Sequence, residues 1–205
     1  MATILTPLQA AHSEALSLGK DQELRQYGMS TVELLQDNAR FSLKLSESTT
    51  ELYVVYNPSA FMAGGPSVTT PENKSLSLSL GSSSELCGAL LCFETRVKEL
   101  LRGKHPKIDL LWNSCVKEPT EKTPLMVRCK VSPESVRLFD ADKKAITLTE
   151  QPLSDWRGLP ANVVLQVRGM YAGKDSMGLQ LSATHLQFGS ERVQIGGMPV
   201  IENPF

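Results

Sequence analysis

Leucine and serine alternate without a break over Ser75–Leu80, and this period of two recurs along most of the chain. Arg40–Leu45 repeats it, and Glu51–Tyr56 is rich in strand formers. The polar stretch 46–50 between them predicts an antiparallel pair. Farther on, Leu125, Val127, Cys129 and Val131 take one face of a strand, and Met126, Arg128 and Lys130 take the other. Ser135–Phe139 and Ala145–Thr149 flank Asp140–Lys144, which has the composition of a tight hairpin turn. The clearest pair is Asn162–Tyr171 with Met177–Phe188, enclosing the turn at 172–176. Val163, Leu165, Val167, Leu179, Leu181 and Ala183 give this pair an apolar face, and Gln166, Arg168, Gln180, Ser182 and Thr184 give it a polar one. Ile108–Asn113 is a further short apolar run that reads as β.

Helical spacing is strongest at Leu86, Leu90, Phe93, Val97 and Leu100, which predicts a helix over 84–102 capped by Gly103. Residues 1–37 read as a helical N-terminal extension. Leu8, Ala11, Ala15 and Leu18 recur at helical spacing before Gly19, and Ser30–Glu33 has the form of a capping box. Residues 57–74 hold Asn57-Pro58, Gly64-Gly65-Pro66 and Thr70-Pro71, and read as a long mobile connection. The expected class is mainly β with helices (α+β). Its parts are the extension 1–37, one antiparallel β domain over 38–195 that includes helix 84–102, and a tail at 196–205. No repeat with a period of about 20 to 50 residues is present.

Composition narrows the class. With 41% hydrophobic and 21% charged residues, the 205-residue chain has a globular mixture. No stretch approaches the ~18 apolar residues of a membrane span, and the first residues lack the basic and apolar regions of a secretory signal. Four cysteines are too few for a disulfide scaffold and read as reduced, buried, structural thiols. An intracellular protein without a membrane partner is expected. The net charge is −1, but residues 96–144 hold 12 Lys/Arg against 7 Asp/Glu. Such a basic middle can hold a polyanion locally, because salt screens distant charges beyond about 8 Å.

Catalytic machinery is hard to find. His12, His105 and His185 lie far apart in the sequence, and Cys87 and Cys92 fall about 140° apart around a helix, so no ligand face forms. Gly169–Ser176 has the glycines and lysine of a phosphate loop, but the wrong spacing and two strands around it. No cofactor, metal or enzymatic activity is expected. What remains is cations and rings together, the two devices that hold single-stranded nucleic acid. The candidates are Arg128, Lys130, Lys143, Lys144, Arg157, Arg168 and Lys174, with Trp156 and Tyr171 as stacking platforms; Trp112 and Phe139 read as core.

The order of these segments resembles the single-stranded DNA-binding proteins of large double-stranded DNA viruses. Leu125–Val131 leads to Val136–Lys144, then to the turn Leu153–Gly158. The strand ending Val167–Tyr171 and the run Met177–Phe188 follow as a closing hairpin, so the similarity covers about 40–190. The resemblance implies an OB-like β-barrel that binds displaced single strands in viral replication, repair or recombination, inside the host cell. It also implies that Glu202, Pro204 and Phe205 form a tip recruiting replication proteins, although a strongly acidic tail is missing. The chain could self-associate, and RNA could replace DNA, since stacking alone does not tell them apart. The competing class is a virion structural or assembly protein with a β-sandwich or jelly roll. Placement of Arg128, Lys130, Arg168 and Tyr171 on one face or scattered separates the two.

Overall fold

The computed structural model describes residues 3–24, 29–45, 52–60, 74–81, 84–121 and 123–193. Its centre is the hairpin of β11 (Ala161–Ala172) and β12 (Met177–Phe188). Val163, Leu165, Val167, Leu181, Ala183 and Leu186 are buried beneath it, as the alternation requires. Helix α2 (Ser84–Leu101) sends Leu86, Leu90, Phe93, Val97 and Leu101 into the same core, where Phe93 meets Phe41 edge-on at 6.1 Å. Each such side chain contributes about 1.5–3 kcal/mol by leaving water. Glu94 on α2 is also buried. It accepts from Trp112 Nε1 (3.2 Å), Ser114 Oγ (2.7 Å) and the Cys115 amide (2.6 Å), which fastens the chain before β7 (Val116–Lys117) to the helix.

Around the hairpin the sheet runs β1 (Thr3–Leu5), β4 (Phe41–Leu45), β11, β12, β8 (Met126–Val131), β6 (Lys74–Ser79) and β5 (Tyr53–Ala60). β9 (Arg137–Phe139) continues along β12 past the end of β8, and β10 (Ala145–Ile146) pairs with β9. The sheet is mixed, because β1–β4, β12–β8 and β12–β9 are parallel. It is not a ladder closed into a barrel. The far edge at β5 returns to the start of β11 through one isolated bridge, Tyr53 to Pro160, with Val54 and Ala161 amides donating to the Leu159 and Leu52 carbonyls.

The N-terminal segment is not helical as expected. A short helix α1 (Pro7–Ala11) is followed by β2 (Leu16–Leu24) and β3 (Met29–Gln36), an antiparallel pair. The capping box exists, but at Thr6 and Gln9; Ser30–Glu33 lies within β3. Val32, Leu34 and Gln36 are buried at a period of two, and pairing of β3 with β2 and β11 overrides the short helical spacing. Two further expectations fail for the same reason. β4 pairs with β1 and β11, whereas β5 pairs with β6, so the expected β4–β5 pair does not form. Ile108–Leu111 is a helical turn, α3, with Ile108 buried and Leu110 exposed. Residues 57–60 belong to β5, with register shifts around Asn57-Pro58, and 61–73 lie outside the described residues. Cys115 and Cys129 are buried, but Cys92 is exposed and Cys87 half-buried, so only two thiols are core residues.

Candidate nucleic-acid interface

Strand register decides which side chains share the outward face. On β8, Arg128 and Lys130 point away from buried Val127, Cys129 and Val131. Lys130 is registered between Ser75 of β6 and Ser182 of β12, Ser182 faces Gln166 of β11, and Gln166 faces Ser42 of β4. One row therefore crosses the sheet with polar groups around a lysine, of which Ser42 and Ser182 are buried and Ser75 and Gln166 half-buried. In the next row Ser77 lies between Arg128 and Tyr56, a ring 42% exposed. Exposed Arg168 and half-buried Gln166 follow each other on the same side of β11. Burial, then the charge of Arg168, lowers the Lys130 pKa; burial, then Arg128, does the same to Lys117. These cations sit close enough to repel one another. No Asp or Glu occurs in any strand from β4 to β12.

The face continues at its other end into an open groove of about 280 Å³, lined by Ile4, Lys44, Phe139, Lys143, Asn162, Val163, Val164, His185 and Gln187. Lys44 is registered with Val164, Val164 with His185, and His185 with exposed Arg137. The rings of Phe139 and His185 lie within 10° of parallel, with centroids 6.2 Å apart. Burial, followed by the charge of Arg137, lowers the His185 pKa, which favours the neutral imidazole. Lys143 lines the groove from the β9–β10 turn. Its left-handed backbone (φ 66°) is held by hydrogen bonds from its own amide to the Asp140 carbonyl and from the Lys144 amide to Asp140 Oδ1.

Arg128, Lys130 and Arg168 are thus brought together, with Lys143 at the far groove and Lys144 exposed in the same turn. Tyr171 is half-buried at the end of β11. It lies over Gly178 and its hydroxyl accepts from Asn113 Nδ2 (3.4 Å). Lys174 is exposed in the β11–β12 turn and lines a second depression with Glu23, Met29 and His105. Arg157 belongs to the turn before β11, where its amide donates to Asn57 Oδ1. Trp156 is a correction: it is wholly buried, packs on Phe188 at 5.2 Å and donates Nε1 to the Gln151 carbonyl (3.1 Å), so no base can stack on it. Glu202, Pro204 and Phe205 lie outside the described residues. Sequence reasoning missed Lys44, Tyr56, Lys117, Arg137 and His185, and placed Phe139 in the core. Lys44 was open to discovery, since it is the polar position in an alternating strand.

Among the described residues no group of His, Cys, Asp and Glu is arranged to hold a metal ion. No helix among them is long and apolar enough to cross a membrane.

No protein-family model and no curated protein matches the sequence. Among solved structures, the single-stranded DNA-binding protein from bacteriophage Enc34 in complex with ssDNA overlays with a TM-score of 0.49 at 9% identity, over 90% of this chain and 100% of that one. Another structure of the Enc34 protein gives 0.48 at 12% identity, over 94% and 96%. The single-stranded DNA-binding protein gp2.5 of bacteriophage T7 gives 0.47 at 12% identity, over 82% and 98%. At this level of overlap nothing about binding residues passes from those proteins to this chain.

Proposed function

We propose that the chain is a non-catalytic binder of single-stranded DNA, holding the strand without sequence preference on the outward face of β6, β8, β11 and β12. The observation that carries this reading is the segregation of charge. Lys117 lies near Arg128 and Lys130 near Arg168, the strands from β4 to β12 contain no carboxylate, and of these cations Lys117 alone has a carboxylate, Glu94, among the charges that shift it. Crowded cations cost free energy in the free protein, and a polyanion relieves it. Half-buried Ser75 and Gln166 beside Lys130 can hydrogen-bond base edges. The exposed ring of Tyr56 offers a face to bases that a duplex keeps stacked on each other. That Arg128, Lys130 and Arg168 share one face supports binding over a virion structural role. Displaced strands arise in replication, repair and recombination, which would be the setting of this activity.

The test is fluorescence anisotropy of a labelled oligothymidine over a range of salt, with duplex and RNA competitors. Binding should be tight at low salt, fall steeply as salt rises and resist the duplex. Arg128→Gln with Lys130→Gln should flatten the log–log salt slope by about 0.7 for each phosphate that is no longer neutralised. Absence of binding at low salt would refute the reading.

A further inference from the structure

The groove at Phe139 and His185 has features that a phosphate track alone does not need. Its lining is largely apolar, with Ile4, Phe139, Val163 and Val164, and Ile4 is 56% exposed although it is a large aliphatic residue. The near-parallel rings of Phe139 and His185 form a flat step there, and Lys44 and Lys143 line the same groove. None of the lining residues is acidic. At about 280 Å³ the groove is at the small end of ligand-sized pockets, which run from about 300 Å³, so it suits one small ring system. It lies on the same side of β11 as Arg168, and the four residues from Val164 to Arg168 span about 13 Å at strand rise.

From this geometry we propose that the groove is a nucleobase-stacking subsite: one unpaired base lies on the Phe139–His185 step while Lys44 and Lys143 take the flanking phosphates. The inference rests on the single-strand reading and deepens it, because it makes an accessible base face, and not charge alone, a requirement for full affinity. Binding at this step selects against duplex, whose bases would have to unstack first.

The experiment compares a thymidine oligomer with an abasic oligomer of the same length, using the full chain. Phe139→Leu keeps apolar bulk and removes the ring. It should weaken thymidine binding by about 5- to 150-fold, leave the salt slope unchanged and leave abasic binding unchanged. If Phe139→Leu leaves thymidine binding intact while Arg128→Gln with Lys130→Gln weakens it, the subsite is refuted and single-strand binding stands. If the unaltered protein binds neither oligomer at low salt, both fall. A second measurement needs no variant: ultraviolet crosslinking of an iodouracil-substituted oligomer to the unaltered protein, mapped by mass spectrometry. Adducts on Phe139 or His185 are expected, and adducts confined to other residues would overturn the proposal.

Discussion

An indole enclosed on all sides cannot turn out to meet a base without emptying a core site, and Trp156 is in that position between Phe188 and the Gln151 carbonyl. Trp156→Ala should therefore cost about 3–5 kcal/mol of folding free energy, read from guanidinium unfolding. Trp156→Phe should restore much of that and leave oligothymidine affinity unchanged; a folded Phe variant with weakened affinity would put the indole back at the interface. Turn residues surround Trp156 in the sequence, and they report the backbone's path rather than the direction of the side chain. A backbone carbonyl that satisfies Nε1 leaves no trace in the local pattern. Phe139 shows the converse. It sits in a run that reads as core, yet registers with Gln187 on the outward side because its neighbour Leu138 takes the inward position.

Elements whose partners are close in sequence were legible, and those paired at long range were not. The β11–β12 hairpin and α2 carry their periods in one continuous stretch each. β3 becomes a strand because it reaches β11, more than a hundred positions away, at Met170, Tyr171 and Ala172. The joint is Gly169. Its φ is 136°, and a Cβ there would lie 2.1 Å from the Val32 carbonyl oxygen. The bulge between Val167 and Gly169 also resets the alternation, burying Met170 and turning Tyr171 to the side of Arg168. A glycine inside a long strand was the local sign of such an approach. Gly169→Ala should destabilise the fold by at least about 1–3 kcal/mol from backbone strain alone. Unfolding of the variant at the same denaturant concentration as the parent would show that β3 does not seat against β11 this closely.

For the whole molecule, charge is sorted by the fold more than by the sequence. The basic middle at 96–144 supplies Lys117, Arg128, Lys130, Arg137 and Lys143, but Lys44 and Arg168 come from outside it. Among the described residues, carboxylates on strands are confined to β2 and β3, at Asp21, Glu23 and Glu33. Ion pairs gather at that hairpin and at α2–α3, where Lys104 meets Asp21, Arg40 meets Glu33, and Lys98 and Arg102 meet Asp109. Exposed pairs of this kind are each worth at most about 1 kcal/mol, so salt removes little by screening them. On the outward face the like charges of Lys130 with Arg168 and Lys117 with Arg128 are screened to the protein's benefit. Raising salt from about 50 to 200 mM should therefore raise the unfolding midpoint of the free protein while it weakens the complex. At low salt, oligothymidine at about 100 times its Kd should add about 2.7 kcal/mol, a rise of roughly 5–10 °C for a chain of this size. The two effects cross: salt should erase the gap between free and bound midpoints by moving both toward each other. A free protein that loses stability as salt rises would mean that its ion pairs outweigh the crowded face, leaving a polyanion no repulsion to relieve there.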